Sequence, residues 1–278
     1  MIRLRTFVKR YIHSMETSNI SANYNSITEA PGIGASEQQL SMLYTRYRFA
    51  ARFCQNKDVL EVACGTGQGL GYLATQAKKV VGGDIDPCNV EIAKKQYKDR
   101  DSIQVVSIDA HHLPFENNTF DVLILYEAIY YFEQPKKFLM EAKRVLRKGG
   151  TLIICSANKE WPDFNPSPFS KKYFSATELV DLLEKFGFKA ESKAAYPVDT
   201  GSLKAYLISL IKQTAVRFHL VPKTMKGKEF LKRIFFGKLA PLPSEINDMM
   251  APYYEPQSIR HGEVVSHHKV IYVLGYLS

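Results

Sequence analysis

From Val59 to Cys155 the chain sets five short apolar runs among three helical stripes, and few folds accommodate that alternation. The strand-like runs are Val59 to Ala63, KVVGGD, IQVVSID, FDVLILY and TLIIC. Between them, Leu70, Leu73, Ala74 and Ala77 fall at i, i+3, i+4 and i+7; Val90, Ala93 and Tyr97 follow an Asp86–Pro87 helix start. Phe138, Leu139, Ala142, Val145 and Leu146 mark a further helix, which Gly149 and Gly150 are expected to end. Consecutive strands joined by helices must run parallel with right-handed crossovers. The expected fold is therefore α/β, a doubly wound, Rossmann-like, mostly parallel sheet.

Flanking segments extend this frame. Ser36 with Gln39 forms a capping box ahead of an N-terminal helix, and Ser175 with Glu178 forms another ahead of ATELVDLLEKFGF, which Gly187 should stop. FKAESKAA reads as a sixth strand and HKVIYVLGYL as the last. About seventy residues separate them, too many for a plain connection, so a helical insertion is expected before the last strand. The expected divisions are a basic lead over 1–35, a core over 36–196, a basic helical lid over 197–262 and a final core strand over 263–278.

Composition narrows the class. With 45% hydrophobic and 23% charged residues, the 278-residue chain sits in the globular range, and its apolar stretches are broken by charge before they could span a bilayer. No secretory signal is read at the start, and Cys54, Cys64, Cys88 and Cys155 show no metal-ligand or redox spacing, which fits reduced core thiols in a cytoplasmic protein. The formal charge of +9 is concentrated: residues 203–239 hold nine Lys/Arg against the single acid Glu229.

In a parallel sheet, ligands bind beyond the carboxyl ends of the strands, and VLEVACGTGQG places Gly65, Thr66, Gly67 and Gly69 at such an end. Dinucleotide, phosphate and adenosyl ligands can all be held by such a turn. The spacing here is G-x-G-x-G, with Leu70 where a nicotinamide fingerprint needs a third small residue. Asp84, about twenty residues on, is placed to accept from ribose hydroxyls. Glu61, inside the first strand of the alternation, must meet a cationic or hydrogen-bonding group if buried; a pyrophosphate would worsen its position and an ammonium would improve it.

The ordered set of motifs resembles the class I S-adenosylmethionine-dependent methyltransferases. DVLEVACGTGQG resembles their glycine motif, VVGGDID the acidic ribose motif, SIDAHHLPFENNTFDVLIL the adenine segment with the next strand, and FLMEAKRVLRKGGTLII the helix and fifth strand. RYRFAARF and NPSPFSKKYFSATELVDLLEKFGF are further similar to small-molecule and glycan-modifying members. The resemblance covers about Tyr44 to Gly187 and implies a seven-stranded sheet with S-adenosyl-L-methionine as cofactor and S-adenosyl-L-homocysteine as product. It implies that Gly65, Thr66 and Gly67 let the backbone approach the methionine and ribose, with Gly69 also among the cofactor-binding residues, that Glu61 serves the amino group, and that Asp84 holds the ribose hydroxyls. Ile85 would cover an adenine face, Asp109 would accept from the adenine amino group with Ala110 supplying backbone, and Tyr126 would lie near the methionine.

Methyl transfer depends on positioning and needs a base only for a protonated acceptor. Many relatives carry histidine where this chain has Tyr130 and Tyr131, so the base stays open among Glu127, Tyr130, His261, His267 and His268. No metal is expected. The expected function is transfer of a methyl group to an oxygen or nitrogen of a small molecule, glycan or lipid-linked intermediate under the basic lid. Peripheral contact with an anionic membrane is a second use of that basic stretch. Adenine-amino methylation is disfavoured because YEAIYYF replaces the Asn/Asp-Pro-Pro-aromatic signature; RNA methylation elsewhere, a non-catalytic module that keeps the nucleoside pocket, and a nicotinamide oxidoreductase are the alternatives.

Overall fold

The computed structural model describes residues 30–167, 169–198 and 239–278. Its strands are β1 (Gly34–Ala35), β2 (Asp58–Val62), β3 (Lys79–Asp84), β4 (Ile103–Ser107), β5 (Phe120–Tyr126), β6 (Leu146–Ala157), β7 (Phe188–Pro197), β8 (Ala240–Pro241), β9 (Gln257–Ile259) and β10 (His268–Leu277). Its α-helices are α1 (Glu37–Ala51), α2 (Leu70–Ala74), α3 (Pro87–Gln96), α4 (Pro135–Val145) and α5 (Ala176–Lys185).

Eight strands form one sheet in the order β4-β3-β2-β5-β6-β10-β7-β9. The first five pair in parallel, whereas β10 runs antiparallel to both β6 and β7, and β9 lies antiparallel on the β7 edge. Strand order reverses at β2: β3 and β4 lie to one side, β5 and β6 to the other. A crevice therefore opens beyond the carboxyl ends of β2 and β5.

Alternation along the strands decides which residues meet which helices. Leu60, Val62, Leu123, Leu125, Leu152 and Ile154 face one side, where Phe138 and Leu139 of α4 and Leu179 and Leu183 of α5 cover them. Val59, Val122, Ile124 and Ile153 face the other, against Leu43, Tyr44, Tyr47 and Phe49 of α1 and Leu70 and Leu73 of α2. Glu61 shares the parity of Val59, so its carboxyl group is directed to the α1 side of the sheet.

Three boundaries differ from expectation. α4 ends at Val145, not at the glycines, because Asn118 and Thr119 donate backbone N–H groups to the carbonyls of Arg144 and Val145 while Leu146 pairs with Phe120. The α2 helix stops at Ala74, leaving Ala77 in the following turn. Most of the anticipated helical lid, 199–238, lies outside the described residues, as does all of the basic stretch except Leu239. Residues 239–262 are described and form short strands and turns instead of helix, since Pro241, Pro243, Pro252 and Pro256 break any helical run. Both capping boxes, the Asp86 cap with Pro87 at the helix start, and the Gly187 stop form as expected.

The chain leaves β7 at Pro197 opposite His268, at the carboxyl edge of the parallel strands. It returns with β8 pairing to β1, just ahead of α1. The segment then passes over the outside of the glycine turn: Gln68 donates to the Pro243 carbonyl at 2.7 Å and accepts from the Ile246 N–H at 3.0 Å. Tyr44 continues the attachment by donating to Asp248 at 2.5 Å. No helix among the described residues is long and apolar enough to cross a membrane.

Candidate cofactor site

The turn after β2 is built from left-handed residues. Ala63 (φ +58°), Gly65 (φ +56°) and Gly67 (φ +78°) reverse the chain, closed by the Gly67 N–H donating to the Cys64 carbonyl at 3.0 Å. A Cβ on Gly67 would lie 2.9 Å from the Ala93 side chain of α3, so this glycine also lets the turn sit against the next helix. Tyr97 pins the same turn by donating to the Gly67 carbonyl at 2.7 Å.

Gly69 has a steric task the sequence did not suggest. A Cβ there would fall 1.8 Å from the Tyr47 ring, so its missing side chain makes room for a residue of α1. Tyr47 uses that space to donate its hydroxyl proton to Glu61 Oε1 at 2.6 Å. Its ring meets Tyr126 edge-on at 5.5 Å, and Tyr126 in turn donates to the Arg46 carbonyl at 2.8 Å. Tyr126 thus closes the inner wall, its hydroxyl spent on α1.

Glu61 is 1% exposed, and among the described residues its Oε2 has no hydrogen-bond partner. Burial raises its pKa to about 8; the Tyr47 hydroxyl opposes that rise and the neighbouring Asp84 adds to it. Thr66 Oγ1 is likewise buried without a partner among the described residues. Buried polar atoms of this kind ordinarily find partners, so two around one turn mark a place prepared for a polar ligand.

Asp84, at the end of β3, accepts from the Gly65 N–H at 2.8 Å, the Asp86 N–H at 2.9 Å and Asn89 Nδ2 at 3.3 Å. Burial nonetheless raises its pKa, against the lowering effect of those donors. Ile85, next along, is 50% exposed, as an apolar cover for a flat ligand would be. Asp109 and Ala110 follow β4; Asp109 Oδ1 accepts from the His111 N–H at 2.8 Å and lies 2.7 Å from His111 Nδ1. One oxygen of Asp109 is therefore already engaged, a pairing the sequence did not suggest.

The fold brings Glu61, Gly65, Thr66, Gly67, Asp84 and Ile85 to adjacent strand ends, with Tyr126 on the Glu61 side and Asp109 and Ala110 beyond β3. Sequence reading missed Tyr47, Asn89, Tyr97 and Arg144. Tyr47 had a signal, its place in RYRFAARF, but its helical spacing from Leu40 and Leu43 reads equally well as core.

Residues 60–154 match a family model described as a methyltransferase domain. Over those residues the chain carries a methyltransferase domain. It is 29% identical over 167 residues to a probable S-adenosylmethionine-dependent methyltransferase of Mycolicibacterium smegmatis, covering 58% of this chain and 63% of that protein. It is 39% identical over 112 residues to the phthiotriol/phenolphthiotriol dimycocerosates methyltransferase of Mycobacterium leprae, covering 38% and 41%. The chain thus spans less than two thirds of the length of these curated relatives. Its fold matches a solved S-adenosylmethionine-dependent methyltransferase of Thermotoga maritima with a TM-score of 0.55 at 17% identity, covering 98% of this chain and 99% of that one.

Beyond β5 the methyltransferase domain holds a second polar group. Glu127 adopts φ +50°, a strained conformation for a residue with a side chain. Its Oε2 accepts from Tyr130 at 3.1 Å and from the Ala157 N–H at 3.2 Å, and Arg46 lies 3.4 Å from Oε1. Tyr130 stacks on Tyr173 at 4.2 Å. Burial and the adjacent Glu127 push the Tyr130 phenol far above its ordinary range, and its hydroxyl donates to Glu127. His261 lies on the outer surface, 2.7 Å from Asp181 of α5.

Proposed function

We propose that the chain transfers the methyl group of S-adenosylmethionine to an oxygen or nitrogen of a small-molecule or lipid-linked acceptor. The observation that carries this reading is the buried Glu61, one oxygen unpartnered among the described residues, in the strand that leads into the turn whose Gly65 is tied to Asp84. Glu61 would receive the ammonium group, Asp84 the ribose hydroxyls, and Ile85 with Asp109 and Ala110 the adenine. The bound sulfonium supplies an activated methyl group and a neutral thioether leaving group.

The remaining work falls to the chain. The Tyr130, Tyr173 and Phe164 rings pack beside Glu127 and limit water around it. Glu127, oriented by Tyr130, Arg46 and the Ala157 N–H, takes the hydrogen bond, and where needed the proton, of an acceptor hydroxyl or ammonium. The Mycobacterium leprae relative is named for a triol substrate, which supports a hydroxylated acceptor. The basic 203–239 stretch, reached from the carboxyl edge, would bind an anionic acceptor or the surface that presents it.

Calorimetry with S-adenosylhomocysteine and with NAD tests the cofactor, followed by methyl transfer from labelled S-adenosylmethionine to a panel of hydroxylated, amino and lipid-linked acceptors. Binding of the thioether and labelling of at least one acceptor class are expected. NAD binding without S-adenosylhomocysteine binding would overturn the reading.

A further inference from the structure

We infer that Tyr47 is a positioning residue that makes cofactor binding sense the amino-acid end of the ligand and couples it to release of a proton from Glu61. The inference rests on the methyltransferase reading and goes beyond it, to how the ammonium group is selected.

Glu61 lies in the middle of the sheet, opposite Gly82 of β3 and Ile124 of β5, and is directed toward α1. Among the described residues, the titratable groups around it are Tyr47 from α1, Cys64 from the turn, Asp84 from β3 and Tyr126 from β5, with Cys54 farther along. None of these groups is cationic. A buried carboxyl group in such company keeps its proton at neutral pH, consistent with its raised pKa of about 8.

Tyr47 satisfies Oε1 from the α1 side. Gly69 behind the ring and Tyr126 at its edge fix the phenol, so the hydroxyl has one place to go. Oε2 is left as the atom that can meet an incoming ammonium. When that cation arrives, the ionised carboxylate becomes the favoured form, the Glu61 proton passes to solvent, and the Tyr47 hydrogen bond becomes charge-assisted and stronger. Tyr47 therefore contributes more to the liganded state than to the free one, and only for ligands that bring the cation.

The test uses the full chain and two probes, S-adenosylhomocysteine and methylthioadenosine, which lacks the amino-acid end. Calorimetry in buffers of different ionisation enthalpy at pH 7 should show proton release with the first and none with the second. Tyr47→Phe keeps the ring and should weaken S-adenosylhomocysteine binding about tenfold or more, leaving methylthioadenosine within about twofold. The wild-type affinity for S-adenosylhomocysteine should rise from pH 6 to pH 8; Glu61→Gln should flatten that profile, and Tyr47→Phe should move it to higher pH. Any change in melting temperature for Tyr47→Phe bears on both probes alike, so the split between the two affinities separates positioning from folding. Equal loss for both probes, or no proton release with S-adenosylhomocysteine, overturns this inference while the methyltransferase reading stands; failure of the wild type to bind either probe overturns both.

Discussion

The Gly65 backbone N–H donates to Asp84 Oδ2 across 2.8 Å, so the acid at the end of β3 holds the turn that follows β2. A single carboxylate thereby does two things: it fixes the shape of the glycine turn, and it stands at the rim of the crevice where a ribose would lie. The Asp86 N–H and Asn89 bind its other oxygen, which leaves the carboxylate little freedom to turn.

Asp84→Asn should therefore cost both folding and binding. An amide facing Gly65 or Asp86 sets donor against donor, so a loss of about 1 to 3 kcal/mol in unfolding free energy is expected, measured by urea titration. S-adenosylhomocysteine affinity should fall more than tenfold. A variant with wild-type stability and wild-type affinity would show that the Asp84 contacts carry no weight.

At Gly69 the expected effect is steric. Gly69→Ala puts a methyl group into the Tyr47 ring, which must move away from Glu61 or push the turn outward. Overpacking of this kind costs about 1 to 3 kcal/mol. The melting temperature should drop by several degrees, and the double variant Gly69→Ala with Tyr47→Ala should recover part of that loss. No recovery would mean that the clash is not with Tyr47.

For Glu61 the sign of the pH effect follows from the direction of its shift. Its pKa in the folded, ligand-free chain is raised from 4.5 to about 8, so between those values the unfolded chain is ionised while the folded one retains the proton. Stability contributed by this group is complete below pH 4.5 and declines as pH rises toward 8. Glu61→Gln should match the wild type near pH 5 and exceed it at pH 8, by on the order of a few kcal/mol, in thermal melts without ligand. Identical pH profiles for the two proteins would count against a protonated Glu61.

Arg144 offers a check on the adenine side. It binds both oxygens of Glu141 at 2.7 Å and donates to the Phe115 carbonyl at 2.6 Å and the Leu113 carbonyl at 2.8 Å. The loop after Asp109 is thus tethered to α4. Arg144→Met should speed hydrogen exchange over residues 109–117 by about tenfold and weaken S-adenosylhomocysteine binding a few-fold, with β6 exchange unchanged. Unaltered exchange in that loop would show that the tether is not needed.

Much of this architecture was legible in the residue order. Apolar periodicity, the two capping boxes and the Asp86–Pro87 start are local features, and each formed because its physics is complete within a few residues. The glycine turn and the acids at positions 61 and 84 could be read because a left-handed turn needs glycine and a carboxylate inside a strand needs a partner. The end of α4 was misplaced because the residues that cap it, Asn118 and Thr119, are distant in sequence.

Sequence alone determined the order of strands and helices and the residue types beside the turn, since those follow from spacing and from side-chain chemistry. Only the tertiary structure decided that Tyr47 meets Glu61, that Gly69 makes room for that ring, that Glu127 is held by Arg46, Tyr130 and Ala157, and that residues 239–248 return to fasten the glycine turn. Each of these joins residues from separate elements, and no local pattern encodes a contact whose partner is chosen by how helices pack on a sheet.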